Sequence, residues 1–182
     1  MAREAPSGVQ LIDVATVRAF LDERHGPFAG RVDAFARDTL GDYPEPADDD
    51  AARVQAREIL ELLGDGGWFD AIATPDYRAI CLAREALAAA SPLADAVYAL
   101  QALGATPIVL AGSEPQKERW LAPALDGRAM GAFAMTEAEA GSDVASMETA
   151  ARPDGESRDS SATTDASPSG TAPAQKPSLA IS

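Results

Sequence analysis

In "GAFAMTEAEAGSDVAS", residues 131–146, small, hydroxyl and acidic residues follow one another in an order that can do chemistry. An extended backbone through 132–136 would put Ala132, Ala134 and Thr136 on one face and Phe133 and Met135 on the other, because side chains alternate along a strand. One face is then small and carries a single hydroxyl. A flat ring can lie against it, bonded by backbone N–H groups at an exposed strand end and by Thr136, while Phe133 and Met135 anchor the strand from behind. Downstream, Gly141 permits a positive φ or close backbone approach. Gly141, Ser142 and Asp143 can turn their N–H groups toward one point, the geometry of an anion nest that suits a pyrophosphate. An ordinary turn capped by Ser and Asp has the same composition, and on composition alone it is the commoner outcome.

The other reactive side chains offer less. Cys81 is the single cysteine and sits in an apolar helical pattern, where an inert core thiol is expected rather than a nucleophile. His25 is the single histidine; beside Gly26 and Pro27 it reads as a surface position at a helix C-terminus. With no second histidine and no cysteine pair, a zinc site has no ligand set. The acids Asp42, Glu45, Asp48, Asp49 and Asp50 read as a loop followed by a helix N-terminus, which favours carboxylates, and no metal is assigned to them.

The elements that must position the 131–146 segment are helical. Val17, Phe20, Leu21 and Arg24 recur at helical spacing behind an Asp13 cap over 13–24, and Phe28, Val32, Phe35, Ala36 and Leu40 repeat the pattern over 28–40. Pro44 and Pro46 interrupt it. A third helix is expected from the Asp48–Asp50 caps to about Leu63, ended by Gly64, Gly66 and Gly67, with an apolar link over 68–73 packing across the bundle. A fourth is expected over 75–90 and a fifth from Pro92 through Leu110, kinked or divided at Pro107. Ser113 and Gln116 stand at capping-box offset before a short helix with Trp120 and Leu121. No repeat period is visible. The expectation is a mainly α fold: an irregular helical bundle over residues 1–127, a short β segment in 128–155, and a disordered low-complexity tail over 156–182.

Taken together, "AFAMTE", the following "GSD" and the upstream "LAREALAAASPLADAVYALQALGATPIVLAGSEPQKERWLAPALDGRAM" resemble the acyl-CoA dehydrogenases, well over 53–155 and weakly over 1–52. The resemblance implies a helical N-terminal domain leading into a β domain that holds FAD. It implies that the strand backbone around Phe133, Met135 and Thr136, with the Thr136 hydroxyl, bonds the flavin ring. It further implies that Ser142 lies by the FAD pyrophosphate and the acyl-CoA ligand, and that Gly141 shapes that turn. The reaction it implies is α,β-dehydrogenation of an acyl-CoA thioester, a carboxylate taking the α-proton while a hydride passes to the flavin. No catalytic residue is assigned: neither Glu85 nor Glu137 matches the place of the base. Ala138 departs from the family pattern, which has Pro after Thr-Glu. The expected continuation, Asn-Gly-x-Lys and then Trp, is absent after Gly155. The chain is therefore expected to be a truncated or frameshifted dehydrogenase, inactive alone; the alternative is a helical interaction module pairing with full-length dehydrogenase subunits or forming a homo-oligomer.

The net charge of −14 argues against nucleic acid as a partner, because a phosphate backbone needs cations. "MAREAPSGVQ" lacks a signal peptide's apolar run, and no segment is expected to span a membrane, so a cytoplasmic protein is expected.

Overall fold

The computed structural model describes residues 11–150, which divide into a helical unit ending at Gly131 and a second unit that begins at Ala132. Among the described residues the regular structure is helical. The order is α1 (Val14–Val17), a 3-10 turn (Arg18–Phe20), α2 (His25–Phe35) running into a π turn (Ala36–Leu40), α3 (Asp49–Asp65), α4 (Asp70–Ala73), α5 (Tyr77–Ala90) and α6 (Pro92–Ala111). Then come α7 (Glu114–Gln116), a π turn (Lys117–Leu121), α8 (Ala122–Leu125) and a 3-10 turn (Val144–Ser146). The mainly α expectation holds. The tail from 156 onward lies outside the described residues.

Local chemistry explains most of the starts. Asp13, Asp48, Asp76 and Ser91 each accept a hydrogen bond from a backbone N–H three residues on, satisfying donors that a helix N-terminus leaves over. At Ser113 the Gln116 side chain reaches back to the Ser113 N–H at 2.8 Å, as the capping-box spacing requires. One start differs from expectation. The first helix stops at Phe20, and a new one begins at His25, because Pro27 falls in a first helical turn, where a missing N–H costs nothing. Read as a stop, the Gly26-Pro27 pair is in fact part of a start.

The core lies where α2, α3, α5 and α6 meet. Val32, Leu40, Ile59, Leu63, Leu87 and Tyr98 are among its fully buried residues. The 68–73 link packs inward as expected: Phe69 stacks on Tyr98 at 5.5 Å between ring centroids, and Trp68 lies 5.0 Å from the Phe35 ring. The Tyr98 hydroxyl donates to the Trp68 carbonyl at 3.1 Å, and burial pushes its pKa up. Pro107 leaves α6 continuous.

The α6 helix is the one described segment that bears on the membrane reading. Carrying only Asp95 as a charge, it is long and apolar enough to cross a bilayer by length and composition. One face of it, Ala94, Val97, Tyr98, Gln101 and Ala105, is buried in the helical unit, against α3 and α5 among others. On the same helix Leu100, Leu103 and Leu110 are 45%, 47% and 65% exposed.

Backbone meets backbone at one place. A Cβ on Gly64 would fall 2.4 Å from the Asp126 carbonyl oxygen, and one on Gly127, whose φ is +72°, would fall 2.4 Å from the Leu60 carbonyl oxygen. The turn after α8 thus lies directly on α3, at a distance only glycine allows.

Candidate functional site

The chain leaves the helical unit under tight control. Gln101, 1% exposed on α6, donates from its amide nitrogen to the Ala124 carbonyl at 2.6 Å and the Ala129 carbonyl at 2.8 Å. Its side-chain oxygen accepts from the Gly131 N–H at 2.6 Å. Three backbone groups on either side of the Gly127 turn are satisfied by one side chain. The sequence carried a signal for this: Gln101 is a lone amide in a nearly uncharged apolar helix, where a polar group has to be paired.

From Ala132 the second unit begins, and here the expected strand is corrected. No strand forms among the described residues: 132–137 has no regular structure, because a strand is stabilised by a ladder and no partner strand lies among the described residues. What shapes the segment is turn chemistry. Glu137 and Ala140 exchange backbone bonds, N–H of Glu137 to the Ala140 carbonyl at 2.9 Å and the reverse at 3.3 Å. Asp143 accepts the Ser146 N–H on its carbonyl at 3.1 Å and the Ser146 hydroxyl on its carboxylate at 2.5 Å. The Glu137 carboxylate then closes the segment. It accepts the N–H groups of Glu148 at 2.8 Å and Thr149 at 2.7 Å, and the Thr149 hydroxyl bonds it too.

On this loop Phe133 is 46% exposed, so it does not anchor the segment from behind, and Met135 is half-buried. Thr136, Gly141 and Ser142 are exposed. The side chains of Thr136 and Ser142 make no hydrogen bond among the described residues. Gly141 does not use a positive φ, and nothing lies within 4 Å of where a Cβ would stand. Thr136 and Ser142 thus stand exposed on one loop.

The other residues singled out for chemistry are placed differently from expectation. His25 is 1% exposed and opens α2 instead of closing a helix at the surface. Its Nδ1 accepts the Asp22 N–H at 2.9 Å, which leaves Nε2 as the donor to Asp76 at 3.1 Å. Arg24 also meets Asp76, at 2.9 Å. Burial raises the Asp76 pKa, but the hydrogen bonds from His25 and the Ala79 N–H and the charge of Arg24 outweigh it and hold the carboxyl below its ordinary value. The pair joins the start of α2 to the start of α5. Cys81 lies on the exposed side of α5, because the buried positions 79, 82, 83, 86 and 87 face away from it. Asp48 caps α3, with Asp49 and Asp50 in its first turn.

Residues 22–128 match the family model described as acyl-CoA dehydrogenase, N-terminal domain. The chain belongs to the acyl-CoA dehydrogenase family. Similar curated proteins carry that name over a longer stretch. A probable acyl-CoA dehydrogenase of Mycobacterium leprae is 34% identical over 150 residues, covering 78% of this chain and 34% of the relative. The mitochondrial 2-methylacyl-CoA dehydrogenase of Solanum tuberosum is 30% identical over 70% of this chain and 33% of its own length. The mitochondrial short-chain specific acyl-CoA dehydrogenase of Homo sapiens is 28% identical over 85% of this chain and 35% of its own. The chain thus spans about a third of the relatives it matches.

Proposed function

We propose that this chain supplies the helical front and the first cofactor contacts of an FAD-dependent acyl-CoA dehydrogenase. The observation that carries the reading is the loop at 132–149: it follows a domain of this family and presents two exposed hydroxyls, Thr136 and Ser142, that are unbonded among the described residues, with exposed Ala132, Ala134 and Gly141 on the same loop. Such a surface fits a ring edge and a phosphate, since both accept hydrogen bonds and need close approach. On this reading Phe133, Met135 and Thr136 hold the flavin, Gly141 and Ser142 its pyrophosphate, and Ser142 also meets the acyl-CoA ligand. FAD would supply a hydride acceptor for α,β-dehydrogenation of the thioester. No carboxylate here is assigned as the base: Glu137 is committed to backbone N–H groups, and Glu85 stands exposed on α5.

The chain alone is proposed to be inactive, as the loop offers only a few hydrogen bonds, each worth about 0.5–1.5 kcal/mol net. A purified chain should be colourless and bind FAD more weakly than micromolar in a fluorescence titration; micromolar binding overturns this. Fused to the remaining length of a relative, Thr136→Ala and Ser142→Ala should lower flavin content or alter its spectrum, Ser142→Ala by roughly ten- to a hundredfold in affinity. Unchanged flavin in both variants sinks the cofactor assignment.

A second reading, a non-catalytic module that pairs with dehydrogenase subunits, is favoured by one feature: Leu100, Leu103 and Leu110 expose an apolar stripe along α6. A chain that stays monomeric and does not co-elute with a full-length family member argues against it.

A further inference from the structure

We propose that Glu137 is the positioning residue of the 137–149 loop: its carboxylate closes the loop and so holds Thr136 and the Gly141-Ser142 turn in one arrangement for the cofactor phosphate and ring. The inference rests on the FAD reading above and deepens it. Glu137 spans 11 and 12 residues of sequence to reach the Glu148 and Thr149 N–H groups, at 2.8 and 2.7 Å, and takes the Thr149 hydroxyl as well. These are charge-assisted bonds to an ionised acceptor, the stronger class of hydrogen bond. The other bonds of the loop are local. The Glu137–Ala140 exchange and the Asp143–Ser146 cap each join residues three apart and cannot bring the two ends together.

The residues that meet the ligand on this reading lie at one end of the closure and inside it. Thr136 is the neighbour of Glu137, and Gly141 and Ser142 lie within the span that the carboxylate closes. Gly141, with open space around it and no positive φ, has no conformational preference that would hold the turn by itself. A loop of this length without its clasp samples many states, and a phosphate would have to reorder it on binding. The Glu137 carboxylate is turned toward the Glu148 and Thr149 N–H groups and the Thr149 hydroxyl.

The test uses the whole chain and amide-resolved NMR, with FAD at millimolar concentration as the probe. In the wild type, the Glu148 and Thr149 amides should exchange slowly, and FAD should shift the Thr136, Gly141 and Ser142 amides. In Glu137→Ala the protection at Glu148 and Thr149 should fall by about tenfold or more and the FAD-induced shifts should vanish, while the α3 and α5 amides keep their protection. Glu137→Gln, which keeps one acceptor oxygen, should restore part of both, and Glu139→Gln, a change of the same charge at an exposed neighbour, should change neither. Unchanged protection at Glu148 and Thr149 in Glu137→Ala overturns the inference. So do FAD shifts of wild-type size in a variant whose loop has opened. Absence of any FAD shift in the wild type strikes the cofactor reading itself, and this role of Glu137 with it.

Discussion

The helical unit and the loop from Ala132 are held by different means. In the first, polar side chains turned inward tie distant segments together: Gln101 satisfies three backbone groups, His25 and Asp76 join two helix starts, and Gly64 and Gly127 let backbone lie on backbone. In the second, among the described residues, the hydrogen bonds run between near neighbours except at Glu137, and the side chains assigned to a ligand stand outward and unpaired. The difference teaches where the cost of a substitution will appear. In the helical unit it should appear as stability; in the loop it should appear as ligand binding with stability unchanged.

The largest expected effect breaks the backbone contact. Gly64→Ala places a Cβ 2.4 Å from the Asp126 carbonyl, where neither backbone can yield cheaply, and should cost about 3 kcal/mol in a urea melt. Gly141→Ala, with nothing within 4 Å, should stay within about 0.5 kcal/mol of wild type. Equal costs for the two would erase the contrast between the units.

Next comes Gln101→Leu, which keeps the bulk and strands the Ala124 and Ala129 carbonyls and the Gly131 N–H. A loss of about 2 kcal/mol is expected, read in the same melts.

The acid response sharpens the comparison further. Because the Asp76 pKa is lowered from 3.8 in the folded chain, the stability it contributes is fully present above 3.8 and is lost as pH falls through the lower, folded value. Asp76→Asn should flatten this acid limb of a plot of Tm against pH. At neutral pH it should cost about 1 kcal/mol through the weakened cap and the lost ion pairs. His25→Ala should also destabilise the fold, since it leaves Asp76 without its buried donor, whereas a surface histidine would have been replaceable at no cost. A limb of unchanged slope in Asp76→Asn would remove this carboxylate from the account.

The smallest effects on stability belong to Thr136→Ala and Ser142→Ala. Both side chains are exposed and unbonded among the described residues, so thermal melts should coincide with wild type within about 0.5 kcal/mol while flavin binding changes. Cys81→Ala should be equally silent, and the wild-type thiol should react with a maleimide in the folded state at a rate near that in denaturant.

Much of the fold was legible in the residues because its signals are local. Asp13, Asp48, Ser91 and Ser113 announce helix starts through a hydrogen bond only three residues long, and Ile59 and Leu63 mark the buried face of α3. Membership of the acyl-CoA dehydrogenase family was legible for the same reason: the Thr-Glu and Gly-Ser-Asp run and its helical lead-in are contiguous sequence, and 22–128 match the family's N-terminal domain.

Tertiary structure decided what depends on residues far apart. Whether Cys81 faced the core turned on which side of α5 its neighbours covered. That His25 is buried, and not at a surface helix end, depends on the fold bringing Asp76, 51 residues away, against it. Gln101 became a clasp only once α8 and the 129–131 turn had been brought against α6. The alternation read in 132–136 did not become a strand without a ladder among the described residues, because every ladder hydrogen bond of a strand has its partner on another strand. Sequence determines the bonds that close within a few residues; a bond that closes across tens of residues exists only after the chain has folded to make it.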